Sequence, residues 1–142
     1  MRPVSGSEPH VTALGARIHL FVRPDARERF ISFFRDVLQC ETKDLDFGLP
    51  YPILLVSFSD GSAFSVEFSD LAPNETSGEG VDHETAFRGA WIEFRTTDVP
   101  FYQRRLREAG IPEFRHPGSS HTYFSAPGGQ IFRLIDVSYS GP

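Results

Sequence analysis

The chain has 142 residues and a mass of 16.0 kDa, enough for one domain with a sizeable core, and its hydrophobic content of 39% is ordinary for a globular protein. Its formal net charge is −5, whereas nucleic-acid-binding proteins usually carry a basic surface, so the charge argues against nucleic-acid binding. No apolar stretch approaches the roughly 18 residues that span a bilayer, and the single cysteine, Cys40, cannot form an internal disulfide. We therefore expect a cytoplasmic protein without a membrane partner.

The first predicted elements are a strand and a helix. Residues 1–16 lack the apolar core of a secretory signal, and we expect them to form a flexible leader. The period-two alternation that follows predicts a strand with His19 and Phe21 on one face. Asp25 and Glu28 have the spacing of a capping box and predict a helix start. The apolar stripe of this helix consists of Phe30, Phe33, Phe34, Val37 and Leu38.

Three strands complete the first predicted module. They are predicted over residues 41–46, 51–58 and 63–68. Asp60 and Gly61 form a dipeptide typical of tight hairpins and join the last two strands. In the last strand, Ser65 and Glu67 lie on one face because successive strand residues alternate between faces. The first module therefore has the order β-α-β-β-β.

The same order is predicted a second time. Its strands are predicted over residues 90–95, 112–115, 121–125 and 130–136. Trp91 and Glu93 share one strand face, Asp98 is the predicted N-cap of the helix, and Gly110 ends it. The predicted organisation is a leader (1–16), a first module (17–69), a linker (70–87), a second module (88–138) and a tail (139–142).

Two β-α-β-β-β modules with these turn and helix-cap residues resemble the vicinal oxygen chelate superfamily. This superfamily includes glyoxalase I, extradiol dioxygenases and the fosfomycin- and bleomycin-resistance proteins. The resemblance covers about residues 17–137. It implies an α+β fold in which two βαβββ modules form a curved mixed sheet around a cavity. It also implies that the protein is a homodimer and binds a small molecule.

The resemblance also implies where a catalytic metal would be held. In metal-dependent members the ligands lie on the first and last strands of each module, at positions that hold His19, Glu67, Trp91 and Arg133 here. An indole offers no lone pair to a cation, and a guanidinium is a permanent cation with donors only. Because a catalytic site needs about three protein ligands, we expect no catalytic metal. As a fallback, Glu93 could join His19 and Glu67 to hold Zn, Ni, Mn or Fe.

The same strand faces supply the candidate site residues, of which His19 and Glu67 are the catalytic candidates and the others are candidates for ligand binding. The eight site residues are His19, Phe21, Ser65, Glu67, Trp91, Glu93, Ile131 and Arg133, which converge if the sheet curves as in the family. We expect Arg133 to bind a carboxylate or phosphate through its two-pronged fork, while Trp91 and Phe21 stack against a planar or apolar body. The alternative for Arg133 is an ion pair with Glu67 or Glu93 that only neutralises this face.

His19 is a candidate general base. Imidazole titrates near neutrality, and Glu67 could orient it by accepting from the second ring nitrogen. The alternative is a hydrogen-bonded strand histidine without a catalytic role. A hydrolytic set of His19, Ser65 and Glu67 follows from residue types, but two members only two residues apart on one strand argue against triad geometry. An activated Cys40 thiolate has no support in the sequence.

Three functions remain open. The first is metal-independent binding of a small anionic or aromatic molecule, as in the bleomycin-resistance branch. The second is a lyase, isomerase or dioxygenase, metal-dependent through His19, Glu67 and Glu93 or acid–base through His19 and Glu67. The third is an accessory dimer with a vestigial, ion-paired cavity. Fold similarity does not choose among them, because one fold hosts unrelated chemistries.

Overall fold

The computed structural model describes residues 10–75, 90–115 and 120–141, so most of the predicted linker lies outside the described residues. The chain forms two four-stranded mixed sheets, one from each module. Sheet 1 contains β1 (His19–Val22), β2 (Glu41–Leu45), β3 (Ile53–Ser57) and β4 (Ala63–Phe68). Sheet 2 contains β5 (Trp91–Thr96), β6 (Glu113–Phe114), β7 (Thr122–Ser125) and β8 (Ile131–Asp136). The predicted α+β architecture of two βαβββ modules is confirmed.

The two sheets have the same topology. The strand orders are β1-β4-β3-β2 and β5-β8-β7-β6. The first and last strands of each module pair in parallel, which the helical crossover permits, whereas the other pairs are antiparallel. Parallel pairing places His19 opposite Ser65 and Glu93 opposite Arg133. Residues from the two ends of a module are therefore neighbours on one sheet face.

The first helix is less regular than predicted. The chain makes a 3₁₀ turn at Pro24–Ala26, an α-helix, α1, at Arg27–Ser32 and a π-helical turn at Phe33–Val37. The predicted capping box of Asp25 and Glu28 is wrong, because Asp25 lies inside the 3₁₀ turn and no side chain caps either start. The proline that opens the turn has a fixed φ, and it starts the turn one residue before Asp25.

The second helix, α2 (Val99–Glu108), begins and ends as predicted. The Asp98 carboxylate accepts a hydrogen bond from the Phe101 N–H at 3.1 Å, which satisfies one of the donors left free at a helix start. Gly110 follows the helix with φ +70°, a left-handed conformation that favours glycine. In the first module Gln39 adopts a similar φ of 61°. Among the described residues, neither helix is long and apolar enough to cross a membrane.

The two modules pack against each other through phenylalanine rings. The Phe34 ring centroid lies 6.1 Å from that of Phe94 and 5.7 Å from that of Phe132, and Phe64 lies 6.4 Å from Phe94. The same core contains Leu20, Val22, Val66, Phe68, Phe124 and Leu134. These residues occupy the purely apolar faces of the sheets. Each sheet therefore turns its apolar face towards the other module and its mixed face away.

Candidate functional site

His19, Ser65 and Glu67 form a hydrogen-bonded set on the mixed face of sheet 1. His19 Nδ1 lies 2.7 Å from Ser65 Oγ, and His19 Nε2 lies 3.1 Å from Glu67 Oε1. An ionised carboxylate only accepts hydrogen bonds, so Nε2–H donates to Glu67. In the neutral imidazole, Nδ1 then accepts from the Ser65 hydroxyl, whose oxygen also lies 3.4 Å from the Ile18 carbonyl oxygen. Although Ser65 and Glu67 lie only two residues apart on β4, His19 comes from the parallel neighbouring strand and reaches both of them.

This set is open to solvent. The side chains of His19 and Glu67 are 37% and 33% exposed. Phe21 packs edge-on against the His19 ring with centroids 5.0 Å apart, and it is itself 55% exposed. An ion pair this exposed contributes little to stability, on the order of 0–1 kcal/mol. The side chains of His19, Glu67 and Phe21 are therefore accessible to a ligand that approaches this face.

Arg133 is the centre of the mixed face of sheet 2. Its side chain is only 9% exposed, its Nη2 donates to Glu93 Oε2 at 2.5 Å, and its guanidinium carbon lies 4.2 Å from the Trp91 ring centroid. Burial lowers the pKa of the Arg133 guanidinium, but hydrogen bonds to Glu93 and Tyr123 outweigh this effect and raise the pKa overall. Arg133 therefore remains a cation. Its Nε is buried and has no hydrogen-bond partner among the described residues.

Two residues of this face were not among the sequence candidates. Strand pairing aligns Phe114, Tyr123, Arg133 and Glu93 in one row across β6, β7, β8 and β5. Phe114 and Tyr123 are 8% and 2% exposed, and they form an apolar cluster with Ile131, which is fully buried. The sequence predicts that Tyr123 lies in a strand at residues 121–125. Only the pairing of this strand with β8 places Tyr123 beside Arg133.

The eight candidate residues do not converge within one chain. They form one group on sheet 1 (His19, Phe21, Ser65 and Glu67) and one on sheet 2 (Trp91, Glu93, Ile131 and Arg133). The modules pack through their apolar faces, so the two groups face away from each other. Arg133 pairs with Glu93 rather than Glu67, and Glu67 pairs with His19. The fallback metal set of His19, Glu67 and Glu93 is likewise divided between the sheets.

The donor residues do not fit a resident catalytic metal. Within residues 10–75, 90–115 and 120–141, no three His, Cys, Asp or Glu side chains cluster as a metal site would require. The two positions on sheet 2 where the resemblance predicts ligands hold Trp91, which has no lone pair for a cation, and Arg133, which is a buried cation.

Cys40 is sequestered from solvent. It is 6% exposed, and its Sγ lies 3.9 Å from the Leu38 carbonyl oxygen. Burial raises the pKa of the Cys40 thiol to about 12. Because the thiolate is the reactive form of cysteine, this thiol has no part in the site.

Comparisons with known proteins identify the fold. No family model matches the sequence, and no curated protein is significantly similar to it. Among solved structures, the fosfomycin resistance protein FosX from Listeria monocytogenes aligns with 94% of this chain and 97% of its own, with a TM-score of 0.61 and 14% identity. The chain has the vicinal oxygen chelate fold. The resemblance predicted from the two modules is thereby confirmed at the level of the fold.

Further structures share the vicinal oxygen chelate fold with this chain. TnmS3, an antibiotic-binding protein from Streptomyces sp. CB03234, aligns with 90% of this chain and 98% of its own at a TM-score of 0.57 and 18% identity. A possible glyoxalase from Bacillus cereus aligns with 86% and 98% at a TM-score of 0.58 and 13% identity. Identities this low establish the fold alone, so ligand and chemistry depend on the residues of the two groups.

Proposed function

We propose that this protein binds a small anionic or aromatic molecule without a catalytic metal, and that Arg133 recognises the anion. The observation that carries the proposal is the buried Nε of Arg133, which has no hydrogen-bond partner among the described residues. A buried donor without a partner costs about 1–3 kcal/mol. A ligand carboxylate or phosphate that accepts from Nε and a neighbouring Nη would remove this cost and form a two-pronged, charge-assisted pair.

The surroundings of Arg133 suit a ligand with a planar or apolar part. Trp91 is 37% exposed and lies against the guanidinium, so its free surface is available for stacking. Ile131 and Tyr123 add a buried apolar floor beside it. Glu93 neutralises the cation when no anion is bound, and a ligand would share or displace this pair.

We further propose that the complete site forms between two copies of the chain. The two groups face away from each other in one chain, so a pocket that contains both groups requires sheet 1 of one protomer to face sheet 2 of its partner. The exposure of Phe21 and Trp91, at 55% and 37%, supports this arrangement, because each ring would be covered by the opposing sheet. His19, Phe21, Ser65 and Glu67 would then complete the pocket around the partner's Arg133.

Ligand binding can be tested through Trp91, which is the single tryptophan of the chain. Benzoate and phenyl phosphate are titrated against the protein while tryptophan fluorescence is recorded, with benzamide as the neutral match. We expect both anions to bind more tightly than benzamide. Arg133→Gln should weaken anion binding about tenfold to a hundredfold, because hydrogen bonds to charged groups are worth about 1.5–3 kcal/mol.

The control variant is Arg107→Gln, since Arg107 is an exposed arginine of α2 that pairs with Glu113. It should bind the anions as the wild type does. Equal affinity for benzoate and benzamide, or anion binding by Arg133→Gln at wild-type strength, would contradict the proposal.

A second candidate function is favoured by the contacts of His19. Its ring is held between Ser65 and Glu67, the arrangement that an acid–base lyase or isomerase needs to move a proton. Dioxygenase chemistry has less support, because the candidate ligands are split between the sheets and include no metal cluster in the described part of the chain. A vestigial, ion-paired site is disfavoured by the unpartnered Nε of Arg133.

A further inference from the structure

We propose that Ser65 is a nucleophile, activated by His19 and positioned through Glu67, that transfers acyl groups from activated aryl esters to water. This activity goes beyond ligand binding and uses only sheet 1. A nucleophilic serine needs a base within about 2.6–3.2 Å and a third group that orients the base. Both conditions are met here, at 2.7 Å and 3.1 Å.

The ring nitrogens of His19 determine its role. In the neutral imidazole that carries its proton on Nε2, Glu67 accepts from Nε2–H and the lone pair of Nδ1 faces the Ser65 hydroxyl at 2.7 Å, a shorter distance than the 3.4 Å from Ser65 Oγ to the Ile18 carbonyl oxygen. Either imidazole nitrogen can serve as the base if the other keeps its proton, so this orientation is competent for proton transfer. The imidazolium that forms when Nδ1 takes the proton is stabilised by the facing carboxylate of Glu67.

The backbone fixes this geometry. His19 lies on β1 and is paired across the sheet with Ser65 on β4, and Glu67 follows two residues later on the same face. Side chains on paired strands are held more precisely than side chains on loops. Among the described residues β1 is also an edge strand of sheet 1, and the Phe21 ring beside His19 offers an apolar surface for the aryl group of an ester.

The strand register supplies a cation on the same face. Lys43 is paired with Leu55, and Leu55 with Ser65, so the three side chains lie in one row. The α-carbons of Lys43 and Ser65 are separated by two strand spacings, or about 10 Å, which the flexible lysine stem can largely bridge towards a developing oxyanion. One mobile cation stabilises charge less than fixed donors do. This limits the substrates to esters with a good leaving group.

The reaction proceeds in two balanced steps. Ser65 Oγ bonds to the ester carbonyl carbon as its proton passes to His19 Nδ1, and the bond to the aryl oxygen then breaks as that proton passes to the departing phenol oxygen. Water next attacks the acyl-serine and gives one proton to Nδ1. The Ser65–acyl bond then breaks, the carboxylic acid leaves, and Ser65 regains its proton from His19. Water is the only co-reactant.

The test measures 4-nitrophenyl acetate hydrolysis by the full-length protein in buffers that contain EDTA. We expect turnover by the wild type, and a rate at least a hundredfold lower in Ser65→Ala and in His19→Gln, in line with the usual contribution of general acid–base groups. Glu67→Gln should lower kcat more than it changes KM, because Glu67 acts through His19 and does not touch the ester. Ser57→Ala, which changes a serine of β3, is the matched control and should keep the wild-type rate.

A second measurement locates the nucleophile directly. A fluorophosphonate reagent is incubated with the wild type and with Ser65→Ala, and the modified peptide is identified by mass spectrometry. We expect one label on Ser65 in the wild type and none in a Ser65→Ala protein whose circular dichroism shows that it is folded. A wild-type rate no higher than that of folded Ser65→Ala, labelling at another residue, or loss of activity in EDTA would each overturn the proposal.

Discussion

The contacts of Arg133 offset only part of the free-energy cost of burying its guanidinium. Glu93 and Tyr123 keep the guanidinium charged, and Trp91 covers one of its faces. These contacts leave Nε unpartnered among the described residues. Lysine could not replace Arg133 here, because an ammonium group has no planar face to stack and no fork for a carboxylate. Recognition at this residue therefore depends on the shape of the cation as well as its charge.

Cys40 permits a prediction about pH and reactivity. Its pKa is raised to about 12 by burial, so the native thiol stays protonated at pH 8. We expect iodoacetamide to modify Cys40 far more slowly in the native protein than in urea. The unfolded chain loses the thiol proton above pH 9.0, the ordinary value, whereas the folded chain keeps it up to about pH 12. Stability should therefore fall as pH rises through this window.

Iodoacetamide labelling followed by mass spectrometry checks the first expectation, and urea unfolding at several pH values checks the second. Cys40→Ala is the control, because it lacks the titrating thiol and should lose that part of the pH dependence. Native labelling at the rate of the unfolded chain would show that the thiol is accessible.

At the scale of elements, the turn between β7 and β8 connects the second module to the first. The Gly128 N–H donates to Glu75 Oε1 at 2.9 Å. Both carboxylate oxygens of Glu75 also accept hydrogen bonds from Arg29 of α1. A Cβ built on Gly128 would lie 2.7 Å from Cγ1 of Val22 in β1. The backbone of the turn therefore lies directly against the first strand.

This contact predicts unequal effects of two glycine substitutions. Gly110 and Gly128 both have positive φ, but a Cβ on Gly110 would meet nothing within 4 Å. Gly110→Ala should cost only the backbone strain, about 1–2 kcal/mol. Gly128→Ala should cost about 1–3 kcal/mol more, because the new methyl group overpacks Val22. Urea unfolding of both variants measures the difference, and equal losses would show that the turn moves away from β1 without cost.

At the scale of the whole molecule, the outward direction of the two groups predicts self-association. We expect light scattering after size-exclusion chromatography to give twice the chain mass of 16.0 kDa at tens of micromolar protein. Phe21→Glu should shift the protein towards the monomer, because it places a charge in the proposed interface. Leu71→Glu is the control, since Leu71 is 95% exposed and lies outside both strand faces. A monomeric wild type would contradict the proposed shared site.

The sequence predicts the strands of this protein better than its first helix. The sequence predicts each of the eight strands in the described residues to within two residues. Alternation predicts β1, β4, β5 and β8, because a half-buried strand requires it, and β-forming residues between turn signals predict the other four. The helix start was misplaced, since spacing alone cannot distinguish a capping box from a proline-initiated 3₁₀ turn. The π-helical turn at Phe33–Val37 also escaped prediction, because its apolar stripe is compatible with an α-helix.

The candidate site was predicted residue by residue but not as an arrangement. Alternation assigned His19, Ser65 and Glu67 to the same kind of face, and the structure joins them through β1 and β4. It could not show that this face is turned away from the face that bears Arg133. The apolar face is buried whether modules pack within a chain or between chains, so both arrangements give the same pattern in the sequence.

The separation of the two groups has a consequence for how this protein could diversify. Each group is assembled within one module, on strands that pair with each other and not with the other module. A substitution in one module can therefore change the reactive side chains while the anion-recognising side chains of the other keep their positions. The two groups can be varied separately in the laboratory, while the phenylalanine core and hydrogen bonds such as Gly128 N–H to Glu75 keep the two modules together.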